Sequence, residues 1–227
     1  MTFKLAAPPT NGIDLVQRGI RSLTAGKAAA PAAGTPGARR VAMALGGGAG
    51  ELAAAAPHPV YDVPSESILS GNGFDEARIV AWRYLLTRGP KVVGAAEVSG
   101  GTKRMAKAFA GVHRGPFAEA TASILEEIES SPEFSAGEHE LRMVRIPAFY
   151  VMALWLHAHG ADDLVVPLPP APAYLHAGER YEVSKFCSLL SANAPDLAGQ
   201  APVENNPKRA ALGGRASSKK TGRKRRS

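Results

Sequence analysis

Ile79-Val-Ala-Trp-Arg-Tyr-Leu-Leu-Thr87, then Arg88-Gly-Pro-Lys91, then Val92-Val-Gly-Ala-Ala-Glu-Val-Ser99 is the stretch that decides the fold class. Two runs rich in β-branched and aromatic residues, separated by a short loop containing Gly and Pro, predict a β-hairpin. That loop length sets Arg83 beside Glu97. A cross-strand ion pair is the structural account of both charges.

Working outward, Val60–Val63 predicts a short strand, which Pro59 and Pro64 would confine to a sheet edge. Ser65 before Glu66 and Ile68 is an N-cap signal for one helical turn ahead of the Gly71-Asn72-Gly73 turn. Gly100–Arg114 is basic and predicts a loop. Gly115-Pro116 opens a helix that buries Phe117, Ala120, Ile124, Leu125 and Ile128 and stops at Ser131-Pro132. Beyond it, Glu138–Ile146 alternates as a half-wet strand, and Phe149–His157 is apolar enough for a central one. Asp163–Leu168 predicts another strand before a cluster of prolines. A last helix, Tyr181–Ala192, carries Val183, Phe186, Cys187 and Leu190 on its apolar face. Cys187 is the only cysteine, so no intramolecular disulfide forms, and its expected role is that of a small packed hydrophobe.

The expectation is therefore a single α+β domain over residues 60–195, with an antiparallel sheet of about five strands in the order β-β-α-β-β-β-α. In the order of its elements alone, this pattern resembles the profilin-like and roadblock architectures. The resemblance is topological and implies no activity.

Both flanks differ from the middle. Residues 1–59 are rich in Ala, Pro and Gly, except for one amphipathic helix near residues 13–24, where Ile13, Val16, Ile20 and Leu23 recur at helical spacing. About three turns are marginal alone, so this helix needs a surface, either on its own domain or on a partner to which the 25–59 linker tethers it. At the other end, residues 196–227 predict a disordered tail, in which Lys208, Arg209, Arg215, Lys219, Lys220, Arg223, Lys224, Arg225 and Arg226 sit among small residues with no acid.

Charge is strongly segregated. Residues 1–57 hold six bases and two acids, residues 58–205 twelve bases and eighteen acids, and the tail nine bases. The net +7 therefore misrepresents the folded part, which is acidic and would repel phosphate. Any nucleic acid or other anionic surface would be held by the tail, without base reading and with steep salt dependence. No apolar run reaches the roughly 18 residues of a membrane span. The expected compartment is the cytoplasm, or the nucleus if the host is a eukaryote and the tail acts as an import signal.

Chemistry has one candidate stretch, His157-Ala-His159-Gly-Ala-Asp162-Asp163, following an apolar strand. Two imidazoles at i and i+2 share a strand face and, with Asp162, could bind a divalent metal. The stretch resembles the His-x-His-x-Asp-His turn of the metallo-β-lactamase family, though the Asp comes one position late and a carboxylate stands where that pattern has its last His. A turn between two strands explains the same residues without a metal. The nucleophile elbow, the dinucleotide fingerprint and the P-loop are all missing. The residues call for no cofactor. The expected function is that of a non-enzymatic interaction or adaptor protein, binding a protein partner or forming a homodimer. A small metal-dependent hydrolase using His157, His159 and Asp162 and a scaffold component docked through the N-terminal helix are the alternatives.

Overall fold

The computed structural model describes residues 6–25, 52–100, 104–130, 139–158 and 162–194. Among them are eight strands: β1 (Leu52–Asp62), β2 (Arg78–Arg88), β3 (Lys91–Ser99), β4 (Phe109–His113), β5 (His139–Ile146), β6 (Val151–Ala158), β7 (Leu164–Pro167) and β8 (Tyr181–Glu182). The helices are α1 (Gly12–Ala25), α2 (Ser65–Leu69), α3 (Pro116–Ser130) and α4 (Val183–Ala192), with a 3-10 turn at Pro147–Phe149.

All eight strands form one sheet in the order β4-β3-β2-β1-β5-β6-β7-β8. Every neighbouring pair is antiparallel except β1 and β5, which run parallel over Val60–Asp62 and Met143–Arg145. The sheet is thus two four-stranded meanders laid side by side. Each half runs strand, short helical turn, three strands, helix, and the two closing helices lie on opposite faces. That arrangement is what a half-turn about an axis along the strands produces.

The α+β class agrees with the sequence pattern, and the expected antiparallel sheet of about five strands is corrected to a mixed sheet of eight. Three differences account for this. Phe109–His113 falls in the expected basic loop, yet it pairs with β3 because Val112 and Phe109 pack beside the β2–β3 apolar face. Tyr181–Glu182 extends β7's edge before α4 begins, where a longer helix was expected. The strand at Val60 starts at Leu52 and is central, not an edge. Its prolines are tolerated because β5 covers only Val60–Asp62, and the ladder with β2 is broken by an irregularity between Ala55 and His58, where Ala56 has φ +46°.

Alternation along the strands sorts the core into two faces. On one face, Ala118, Ile124, Leu125 and Ile128 of α3 join Leu85, Ala95, Leu141, Met143, Leu154 and Leu156. On the other, α4 and α2 cover the β5–β8 half through Phe186, Leu190 and Ile68, and α1 covers the β2–β4 half through Val16.

α1 is held in this chain's own domain. The Asn11 side chain pairs with the Ala106 backbone in both directions, at 2.9 and 2.8 Å, and Thr10 N–H donates to the Arg104 carbonyl at 3.0 Å. Val16 is fully buried against Trp82, Tyr84, Leu86, Ala96 and Val98. Ile20 and Leu23 are half-buried, and Ile13 faces solvent. Gly19 has a packing reason: a Cβ there would overlap the Phe109 ring.

Across the α3 face runs a polar row. His58 of β1 is paired in register with Arg83 of β2, and Arg83 with Glu97 of β3. The expected ion pair is present, with Arg83 Nη1 3.5 Å from Glu97 Oε1, but both side chains are buried. Glu97 also meets Arg145 Nη1 at 3.4 Å and His113 Nε2 at 3.5 Å, and Arg145 Nε donates to Asp62 at 2.9 Å. Arg83 Nη1 lies 3.2 Å from the Met143 sulfur. Burial raises the Glu97 carboxyl, but His113 and the two guanidinium groups outweigh it and hold the group below its ordinary range. His58 donates from Nδ1 to the Ala56 carbonyl at 2.7 Å, which leaves Nε2 bare and without a partner among the described residues. Burial, chiefly, lowers its pKa from 6.5 to about 4.

Two outcomes follow for stability. Glu97→Ala leaves Arg83 buried and uncompensated and costs about 3–5 kcal/mol in urea unfolding, whereas Arg83→Met combined with Glu97→Leu costs less than the single change. A single variant as stable as the parent would show that the carboxylate does not hold Arg83 in the core. Acid acts through His58: its pKa is depressed on folding, so its contribution is complete above pH 6.5 and is lost as pH falls toward about 4. Unfolding free energy should drop by about 3 kcal/mol over that window, and His58→Gln should flatten the slope. An unchanged slope in the variant would show that His58 does not carry it.

Candidate functional site

The most developed site lies on the α4 face, where β5 and β6 present Arg142, Trp155 and His157 side by side. Arg142 is opposite Trp155 and Glu140 opposite His157 in the register, so strand alternation alone places these four groups on one face. The Arg142 guanidinium lies over the Trp155 ring at 4.6 Å and the Tyr61 ring at 5.4 Å, and its Nε donates to Glu140 at 2.7 Å. Cation–π contact on two rings braces the side chain in a single position.

Asp163, just ahead of β7, organises the other side. Its carboxylate accepts from Trp155 Nε1 at 2.6 Å, from His157 Nδ1 at 3.0 Å and from the Ala158 N–H at 2.9 Å. Burial pushes this carboxyl up, but the His157, Ala158 and Trp155 donors together pull it below its usual value. A carboxylate on Nδ1 fixes the imidazole tautomer and ring orientation, as an aspartate does in a His–Asp pair.

Opposite the sheet, the turn at Gly71-Asn72-Gly73, Phe74, Asp75 and the first residues of α4, Val183 and Ser184, close a cleft of about 460 Å³. Phe74 and Tyr61 each stack edge-on against Trp155 at 5.2 Å between centroids. The chemistry on offer is polar recognition over an aromatic floor. The one cysteine is not a nucleophile here: Cys187 is buried beside Phe186, and burial pushes its thiol up to about 11.

The residues singled out from sequence fare differently. His157 is in the cleft, but its carboxylate partner is Asp163, while Asp162 is solvent-exposed. His159 lies outside the described residues. Among the described residues, no three His, Cys, Asp or Glu groups gather as a metal site requires. His58, His113, His139 and His176 stand on separate elements or loops and form no metal cluster with His157 among the described residues. The nine Lys and Arg of the tail, Lys208 to Arg226, also lie outside the described residues. No described helix is long and apolar enough to cross a membrane.

Arg142 and Trp155 entered the sequence pattern only as strand residues. The signal for their partnership was the β5–β6 hairpin register, which follows from the length of the connection between the strands and not from any local motif. No family model, no curated protein and no solved structure matches this chain.

Removing the Asp163 carboxylate strands three donors at once. Asp163→Ala should cost about 2–3 kcal/mol and shift the Trp155 indole N–H resonance. Because the Asp163 pKa is depressed on folding, its contribution is present above the ordinary carboxylate range and is lost on acidification below it. An unmoved indole resonance in the variant would show that Asp163 does not anchor Trp155.

Proposed function

We propose that this chain is a non-enzymatic interaction protein: an α+β domain that binds a protein partner or a second copy of itself, joined to a polycationic arm for an anionic surface. The observation that carries the reading is the separation of charge. Nine Lys and Arg with no acid occupy residues 208–227, next to a segment, 58–205, with twelve bases and eighteen acids. Such an arm contacts phosphates without reading bases and gathers nucleic acid of any sequence. The acidic segment disfavours a second phosphate-binding surface on the domain itself. We place the protein in the cytoplasm, or in the nucleus of a eukaryotic host.

A protein-facing role is supported by Tyr150. This large aromatic is 82% exposed and sits at φ +55°, a left-handed conformation that costs a non-glycine residue of order 1 kcal/mol. That conformation closes the 3-10 turn between β5 and β6, with the Tyr150 N–H donating to the Pro147 carbonyl at 3.1 Å, so the backbone serves the chain reversal while the ring is left in solvent. Ile79, which is also exposed, is the second residue of β2. The reading in which α1 serves a partner in trans has less support, because Val16 is already buried in this chain's own sheet.

The decisive experiment compares the full chain with residues 1–206 on a labelled duplex and a labelled single strand between roughly 50 and 200 mM salt. The full chain should bind both, lose orders of magnitude in affinity across that range, and lose binding altogether on truncation. Equal binding by both chains would move the nucleic-acid contact to the domain, and no binding by either would remove it.

A further inference from the structure

Arg142 is the least explained charge on the α4 face. Its side chain is only 15% exposed and is fixed by Trp155, Tyr61 and Glu140, but only Nε is engaged. Its two terminal amino groups donate to no described residue. The outer fork opens into the cleft, where a ligand can replace water on its N–H groups. The same cleft holds the Asn72 amide and the Ser184 hydroxyl, which likewise make no side-chain hydrogen bond with a described residue. A planar fork of N–H donors matches the two oxygens of a carboxylate or phosphate.

We infer that this cleft binds a small organic anion, its carboxylate or phosphate group held by the Arg142 fork with Asn72 and Ser184, and its apolar part against Phe74, Trp155 and Val183. About 460 Å³ suits a metabolite-sized molecule. The first turn of α4, ten residues long, carries no acid and has no side-chain cap at Glu182, so its N-terminus adds a partial positive charge on the same side. Two carboxylates also line the cleft. Asp163 is occupied by its three donors, and Asp75 is solvent-exposed and therefore screened. Recognition rests on directed hydrogen bonds more than on net charge. Neither proposal needs the other, and either can fail alone.

The test uses the full chain labelled with nitrogen-15 and follows its two tryptophan indole signals, Trp82 and Trp155, assigned with Trp82→Phe. The arm contains no tryptophan, so anions collected by it are silent at these signals. Benzoate, phenyl phosphate and benzylamine are titrated separately. The expected result is a saturable shift of Trp155 with benzoate or phenyl phosphate and none with benzylamine. Which anion acts tells carboxylate from phosphate. Arg142→Gln and Ser184→Asp should each weaken binding by about tenfold or more. Ser184→Asp guards against a folding artefact, because an acid in the first turn favours the helix while repelling an anion. The inference is overturned if neither anion shifts Trp155 saturably, if benzylamine shifts it equally, or if a folded variant binds as tightly as the parent.

Discussion

The sheet is held together at a seam of three residues from each strand, Val60–Asp62 beside Met143–Arg145. Within the sheet, the β2–β4 side is hydrogen-bonded to the β6–β8 side through this parallel pairing, the only parallel one among the described strands. So short a ladder is weak by itself. It is reinforced by the Arg145–Asp62 ion pair, by Val63 N–H donating to the Arg145 carbonyl at 3.0 Å, and by α3, whose apolar residues pack on both halves at once. Burial of apolar surface across the seam, more than its hydrogen bonds, makes the two meanders one core.

That seam also explains why charge is found inside. Arg145 belongs to the seam, and its guanidinium extends to Glu97, which in turn neutralises Arg83. A row of ionic groups through a core contributes little net stability compared with apolar residues, but it penalises any pairing that leaves one member alone. With strands whose side chains alternate so regularly, a one-residue slip would move the whole row to the opposite face, where α1 packs. Register therefore has an electrostatic lock as well as an apolar one.

On the opposite face, the helices do not cover the β5–β6 surface completely. The gap is bridged by aromatic stacking and by Arg142 lying across two rings, so the floor of the cleft is rigid although no helix seals it. Asp163 draws three donors from one strand and adjoins the start of β7, so the geometry of the cleft and the closure of the second meander share one residue. This is why the same side chains serve architecture and recognition.

The residues by themselves determined the class and most of the elements. Runs rich in β-branched and aromatic residues located β2 and β3, alternation located β5, and the apolar run at Phe149–His157 located β6. Pro116 and the prolines after Leu168 marked ends, because these signals are local and arise from side-chain periodicity and fixed backbone dihedrals. The Arg83–Glu97 pair was legible for the same reason, since a hairpin fixes its own register. Only the tertiary structure decided the rest. It made β1 central despite Pro57 and Pro59, recruited Phe109–His113 into the sheet, ran β1 parallel to β5, buried Val16 in its own domain and set Arg142 across from Trp155 with Asp163 beneath His157. Each of these depends on contacts between segments far apart in the chain, where a loop's closure and the surface available on the other side outweigh any local preference.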